Sequence, residues 1–186
     1  QFVNDWVNAD FGLLWETVTK QHQSVEEFMN QIARKIENGE YGFEHLATSG
    51  HSLGGNLAFH AAVISADMDG LDIEQAANLD GPGMSEEYMQ KYAEEISVMS
   101  DKMTHYQWSV VGNLLQKFQG VEFVTLNTSA PFYLVFHKHD TKYLVFDEDD
   151  ANSFERGNPD AFALLLGWVS RALDSNLSAI GDLALH

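Results

Sequence analysis

Apolar positions recur along the chain with the three- to four-residue period of helices in some segments and as short buried runs in others. Residues 25–38 have the helical period, with a Ser24–Glu27 capping box before the helix and Gly39 after it. Further helices are predicted over 53–65, over 86–97 with Ser85 as the cap, and from Asn158 and Pro159 onward. The apolar faces expected to be buried are Val25, Phe28, Met29, Ile32, Ala33 and Ile36; Tyr88, Met89, Tyr92, Ala93 and Ile96; and Phe162, Leu165, Leu166, Val169, Ala172 and Leu173.

Strands are predicted at 43–49, 73–79 and 121–126, and a strand or turn at 105–111; the second of these strands ends at the turn signal Asp80-Gly81-Pro82-Gly83. The tetrapeptide Tyr-Leu-Val-Phe occurs at 133–136 and again at 143–146 around a polar loop, which indicates a hairpin. Strands that alternate with helices at this spacing form βαβ units. The pattern therefore predicts a single α/β domain over residues 1–186, with a mainly parallel sheet flanked by helices.

Composition narrows the functional classes. The chain has 186 residues, of which 45% are hydrophobic and 20% charged, enough for one folded domain. It has no cysteine, so a thiolate nucleophile and disulfides are excluded. The formal charge of −18 repels phosphate backbones, so nucleic acid is not an expected partner. No apolar run approaches the ~20 residues of a membrane helix, and we expect a cytoplasmic protein without stable membrane insertion.

The strongest chemical signal is Gly50-His51-Ser52-Leu53-Gly54, between a predicted strand and an apolar helix. In such a bend the serine has strained backbone geometry, and glycines at 50 and 54 let the flanking chains pass closely. Ser52 would then project beyond the carboxyl edge of the sheet as a nucleophile. The Leu53 N–H, at the start of the helix, would be one donor of an oxyanion hole. The alternative is a glycine-rich turn in which Ser52 only caps the helix.

The segment 50–58 resembles the nucleophile elbow of lipase-like α/β-hydrolases. Three later motifs follow in the order seen in the bacterial Mbeg1-like family, as does a stretch at 4–6. These motifs are Asn78-Leu79-Asp80-Gly81-Pro82-Gly83, Ser109-Val110-Val111-Gly112 and His137-Lys138-His139-Asp140. The resemblance covers most of residues 4–146. It implies the C-terminal portion of an α/β-hydrolase fold and serine-hydrolase chemistry, without naming a substrate.

A serine nucleophile needs an imidazole base and a carboxylate that orients it, in the chain order serine, acid, histidine. That order leaves His105, His137 and His139 as candidates. The resemblance aligns His139 with the family's His-Asp pair, so His139 is preferred. Asp80 is the preferred acid because it ends the strand after the Ser52 unit, and parallel neighbours finish at the same edge. Asp101 is the fallback.

The predicted function is hydrolysis of small-molecule acyl esters by Ser52, Asp80 and His139, without a cofactor or metal ion. The same groups would also serve thioester cleavage or acyl transfer. The second oxyanion donor of this fold normally precedes the nucleophile. By the resemblance it would lie before Asn4, so we expect a chain truncated at its N-terminus, weak or no turnover of these 186 residues alone, and an open sheet edge that permits a homodimer. The alternative is a catalytically inactive binding or scaffold domain.

Overall fold

The computed structural model describes residues 20–43, 45–131, 137–150 and 153–184, with side chains as far as residue 176. Predictions for residues 4–6 and for the tetrapeptide at 133–136 lie outside these ranges. The helices are α1 (Lys20–Glu37), α2 (Leu53–Ser65), α3 (Glu86–Lys91), α4 (Ala93–Met99) and α5 (Ala161–Ala184). The strands are β1 (Leu46–His51), β2 (Ile73–Leu79), β3 (Met103–Gln107) and β4 (Glu122–Thr125).

The four strands form one parallel sheet in the order β1-β2-β3-β4, which confirms the predicted α/β class. His51 is in register with Leu79, Leu79 with Tyr106, and Tyr106 with Val124. The segments that follow these four residues therefore leave the sheet at one edge. The bounds of α2 and β2 are as predicted, whereas β1 begins and ends later than the predicted 43–49.

The main core lies between one face of the sheet and α2. Ile73, Ala76 and Met103 on the sheet are buried against apolar residues of α2. Phe59 is fully buried on α2, and its ring meets Phe118 edge to face at a centroid distance of 5.2 Å. Burial of such aliphatic and aromatic side chains stabilises a fold by roughly 1.5–3 kcal/mol each. This packing fixes the start of α2 against the end of β1, where Ser52 lies.

Helix α1 begins before the predicted position, and the predicted capping box is wrong. Ser24 lies inside the helix, where its hydroxyl donates to the Lys20 carbonyl at 3.1 Å. Phe28, predicted to be buried, is 58% exposed, and Met29 is the buried residue of the predicted face. The predicted end is confirmed, since Gly39 has a φ of +71° and the following N–H closes on the Lys35 carbonyl at 2.9 Å.

The helix predicted over 86–97 is two helices that meet at Tyr92. This residue has a φ of −110° and a ψ of 29°, outside the helical region, and its ring packs 4.6 Å from that of Tyr88. Ser85 caps α3 as predicted, because its hydroxyl accepts the Tyr88 N–H at 3.2 Å. Ala93 is exposed rather than inward, since the break turns α4 relative to α3.

Helix α5 buries the opposite face from the one predicted. Its buried residues are Ala163, Gly167, Ser170 and Asp174, and the exposed ones include Phe162 (47%), Leu165 (55%), Val169 (37%) and Leu173 (56%). The polar face is inward because it binds backbone groups of neighbouring segments. Ser170 accepts the Leu115 N–H at 3.0 Å, and Asp174 accepts the Glu86 N–H at 2.7 Å. The helix cap is Asp160, which accepts the Phe162 N–H at 2.8 Å, rather than Asn158.

The two edges of the sheet differ. The outer edge of β4 is covered by residues 155–157, where the Gly157 N–H donates to the Thr125 carbonyl at 2.9 Å. Leu144 and Phe146, in the second tetrapeptide, form isolated bridges with Thr128 and Phe154. The outer edge of β1 pairs with no strand in the described part of the chain. None of the described helices is both long enough and apolar enough to cross a membrane.

Candidate active site

Ser52 occupies the bend between β1 and α2. Its φ of 60° and ψ of −133° lie in a region that residues with a side chain rarely adopt. Its N–H donates to the Leu79 carbonyl at 3.0 Å, which ties the bend to the end of β2. The residue is half-buried. Backbone strain of this kind costs on the order of 1–3 kcal/mol and concentrates at functional sites.

Glycines make the bend possible, although not the pair predicted. A Cβ on Gly50 would lie 2.2 Å from the Gly54 carbonyl oxygen, so position 50 must be glycine. A Cβ on Gly54 would meet nothing within 4 Å, so the expectation that this glycine permits a close approach is wrong. The close approach is instead at Gly55, where a Cβ would lie 2.8 Å from the Gly50 carbonyl oxygen and 2.2 Å from Asn78.

Leu53 is the first residue of α2, immediately after Ser52. The first N–H groups of a helix have no intrahelical acceptor and lie at its positive end. The Ser52 carbonyl accepts from Gly55 and Asn56 instead, at 2.9 and 3.4 Å. The Leu53 N–H therefore lies where negative charge on an oxygen near Ser52 would be stabilised.

Asp80 directly follows β2, at the same sheet edge as Ser52, and has a φ of 54°. The residue is fully buried. Its Oδ1 accepts the backbone N–H groups of Trp108 and Ser109 at 2.8 and 2.9 Å, and its Oδ2 accepts the Ser109 hydroxyl. Three donors thus compensate for the loss of water around this carboxylate.

His139 contacts Asp80 through its Nδ1, 2.8 Å from Oδ2. The side chain is only 14% exposed. It ends a short 3₁₀ turn at 137–139, which is fixed to the start of α5 by an ion pair between Lys138 and Asp160 at 2.5 Å. The structure therefore joins the predicted acid to the predicted base, across 59 residues of sequence.

His51 is a neighbour of the base that sequence reasoning missed. Its Nε2 lies 3.0 Å from the His139 carbonyl oxygen, and the two rings stack at a centroid distance of 4.5 Å. The other face of His51 is parallel to Trp108, with centroids 5.8 Å apart. Burial lowers the pKa of His51, and the adjacent His139 lowers it further. The signal in the sequence is its position directly before Ser52, because the last residue of β1 lies at the same sheet edge as the site.

The other candidates do not join this cluster. Asp101 is exposed and precedes β3, so it lies at the opposite edge of the sheet from Ser52. His105 is buried within the core, with its ring 5.0 Å from Phe123, and burial lowers its pKa to about 3. His137 is exposed. Of the alternatives left open by the sequence, the structure thus favours Asp80 and His139.

The Ser52 hydroxyl forms no hydrogen bond with another described residue, including His139. Ser52, Asp80 and His139 lie at one sheet edge, and of the three only Asp80 and His139 are joined by a hydrogen bond. Contacts between a nucleophile and its base are often long in the absence of substrate.

Two cavities of similar size lie in different places. One of about 580 Å³ is mainly apolar and borders the site through Leu79, Trp108 and Thr141. The other, about 630 Å³, lies beside α3, α4 and residues 116–120, away from Asp80. Position rather than volume makes the first cavity relevant to the site. In the described ranges, no group of three or more histidine and carboxylate side chains is arranged to hold a metal ion.

Comparison with known sequences adds one match. The sequence model of the family described as Mbeg1-like matches residues 4–158, which contain Ser52, Asp80 and His139. No curated protein and no solved structure matches the chain. The matched region covers far more than half of the sequence and ends just before α5. The chain belongs to the Mbeg1-like family.

Proposed function

We propose that this chain is a serine hydrolase of the α/β-hydrolase class that acts on carboxylic (acyl) esters. Ser52 would be the nucleophile, His139 the general base, and Asp80 the carboxylate that orients the imidazole. One observation carries the proposal: a fully buried carboxylate, held by three donors, lies 2.8 Å from an imidazole nitrogen at the sheet edge where Ser52 follows the neighbouring strand.

The chemistry follows from the position of each group. The Ser52 Oγ attacks the carbonyl carbon while the His139 Nε2 takes its proton, and Asp80 stabilises the resulting imidazolium through Nδ1. The Leu53 N–H donates to the tetrahedral oxyanion. The imidazolium returns the proton to the departing alkoxide, which leaves an acyl-serine. Water, deprotonated by the same imidazole, then releases the carboxylic acid and regenerates the serine.

The apolar cavity beside the site supports an ester with a hydrocarbon acyl group. Its walls include Leu79, Tyr106, Val124, Leu144 and Phe154. Its volume of about 580 Å³ falls within the range of roughly 300–1,000 Å³ that is usual for small-molecule sites. Aliphatic and aromatic walls stabilise bound hydrocarbon by removing it from water.

The test is hydrolysis of p-nitrophenyl butanoate, octanoate and palmitate by wild type, Ser52→Ala and Ser49→Ala. Ser49 is the matched control, because it is an exposed serine on β1 just before the bend. We expect wild type and Ser49→Ala to hydrolyse at least one ester, and Ser52→Ala to lose activity by up to ~10⁶-fold. Loss of less than tenfold in Ser52→Ala would exclude Ser52 as the nucleophile.

A second candidate is a binding or scaffold domain that has lost catalysis. The observation in its favour is that the Ser52 hydroxyl is not hydrogen-bonded to His139. On this view wild type would neither hydrolyse the three esters nor react with a fluorophosphonate. Reaction of wild type with the probe would exclude this alternative.

A further inference from the structure

Ser109 contacts both members of the acid–base pair. Its hydroxyl donates to Asp80 Oδ2, the same oxygen that lies 2.8 Å from His139 Nδ1. The Ser109 Oγ is itself 3.4 Å from that Nδ1. The residue is 1% exposed and follows β3, the strand that pairs with β2. Its hydroxyl is therefore a fixed third group between acid and base.

The direction of each hydrogen bond around Ser109 is determined by chemistry. The Val111 N–H donates to the Ser109 Oγ at 3.1 Å, so one lone pair of the hydroxyl is occupied. The hydroxyl has a single hydrogen, and the carboxylate Oδ2 can only accept. The hydrogen therefore points at Asp80, and the hydroxyl cannot rotate without losing one of these two bonds.

We infer that Ser109 is a positioning residue for the Asp80–His139 pair. The two backbone donors from Trp108 and Ser109 both bind Oδ1, whereas among the described residues Oδ2 is bound by the Ser109 hydroxyl and by His139. The Ser109 hydroxyl thus keeps Oδ2 oriented toward the imidazole, and its hydrogen bond stabilises part of the negative charge on that oxygen. The catalytic consequence rests on the proposed function, whereas the effect on the imidazole does not.

Other charged or titratable groups act on His139, and they are held constant in the test. His51 stacks on the ring, and the neighbours in sequence are Lys138 and Asp140. Lys138 is paired with Asp160, and Asp140 with Lys142. None of these groups forms a hydrogen bond with the Ser109 hydroxyl, so a change at Ser109 reaches the imidazole through Asp80 and through the direct 3.4 Å approach of Oγ to Nδ1.

The first experiment compares Ser109→Ala and Ser109→Thr with wild type. Ser85→Ala is the matched control, because it also removes a buried serine hydroxyl that accepts a backbone N–H, but one that forms no hydrogen bond with Asp80 or His139. In Ser109→Ala we expect kcat for ester hydrolysis to fall about tenfold, the usual scale of a hydrogen bond to a charged group, with KM unchanged. Ser109→Thr should restore kcat, and Ser85→Ala should leave it unchanged.

The second experiment follows the titration of the His139 imidazole by nitrogen NMR in the same variants. Without the serine donor, Oδ2 carries more charge toward the ring, which favours the imidazolium. We expect the titration midpoint to move to higher pH in Ser109→Ala and to return in Ser109→Thr. Equal midpoints in wild type and Ser109→Ala would overturn the inference, whether or not esters are hydrolysed. A moved midpoint without wild-type turnover would sustain the inference and overturn the proposed function instead.

Discussion

Replacing Asp80 by asparagine tests the orienting role at nearly constant shape. If the amide keeps its oxygen on the backbone N–H groups of Trp108 and Ser109, its NH₂ must face Ser109 Oγ and His139 Nδ1. Nδ1 would then have to accept, which moves the ring proton to Nε2. That tautomer cannot take a proton from Ser52, so we expect kcat to fall by about 10⁴-fold, the scale seen when a triad carboxylate is made an amide.

Measuring the free energy of unfolding distinguishes a loss of kcat through the wrong tautomer from a loss caused by damage to the fold. Asp80→Ala leaves three buried donors without an acceptor, at roughly 1–3 kcal/mol each, so we expect the free energy of unfolding to fall by about 3 kcal/mol or more. Asp80→Asn keeps most of these bonds and should lose much less. Urea unfolding measures the stability, and initial rates on the best ester measure kcat.

The control is Asp101→Asn, at the opposite sheet edge, which should match wild type in both measurements. Activity of Asp80→Asn within tenfold of wild type, with the protein folded, would refute the orienting role. Equal losses in Asp80→Asn and Asp101→Asn would refute the assignment of the acid.

Three further predictions concern the fold that supports the site. Gly50→Ala should abolish ester hydrolysis because its Cβ would lie 2.2 Å from a carbonyl oxygen, whereas a Cβ at Gly54 meets no atom within 4 Å and Gly54→Ala should remain active. Equal activity of the two variants would contradict the geometry of the bend. Burial lowers the pKa of His60 to about 3, so the stability that its neutral form contributes is fully present above pH 6.5 and is lost as the pH falls from 6.5 toward 3, by up to about 5 kcal/mol. The free energy of urea unfolding across this range should depend less steeply on pH in His60→Leu than in wild type, and identical slopes would count against this reasoning. Gly167→Ala on α5 would place a Cβ 2.2 Å from a backbone oxygen and should lower the melting temperature. Trp168→Ala replaces a side chain that is 64% exposed and should change the free energy of unfolding by less than about 0.5 kcal/mol. A larger loss of stability in Trp168→Ala than in Gly167→Ala would mean that α5 buries its apolar face.

The parts of the fold that the sequence predicted correctly have strong local signals. Helix α2 is mostly apolar and begins at the glycine-rich bend, and β2 ends at the turn signal Asp80-Gly81-Pro82-Gly83. Once β2 is the parallel neighbour of β1, Ser52 and Asp80 must leave the sheet at one edge. The position of Asp80 near Ser52 was therefore predictable from chain order and strand pairing.

Helix α5 shows where periodicity fails. Its apolar stripe predicts an inward face through Phe162 and Leu165, but Ser170 and Asp174 lie inward because they bind backbone N–H groups of irregular segments. Those segments have no periodic pattern, so nothing in the sequence reveals that they need acceptors. Burial on α5 is decided by tertiary hydrogen bonds rather than by its own amphipathicity.

The roles of His51 and Ser109 were also beyond sequence reasoning. Each acts through a residue distant in the chain, His51 on the carbonyl of His139 and Ser109 on the carboxylate of Asp80. From the sequence, Ser109 was recognised only as the first residue of a motif that resembles the Mbeg1-like family. The register of β2 with β3 brings its hydroxyl onto Asp80, and that register becomes visible only in the assembled sheet.

The proposed function requires residues 50–55 to present an activated serine to a substrate. Intact-mass spectrometry after reaction of wild type, Ser52→Ala and Asp80→Asn with a fluorophosphonate tests this requirement. We expect one adduct on wild type, located at Ser52 by peptide mapping, none on Ser52→Ala and much slower labelling of Asp80→Asn. An unlabelled wild type, or an adduct that persists in Ser52→Ala, would contradict the proposed function.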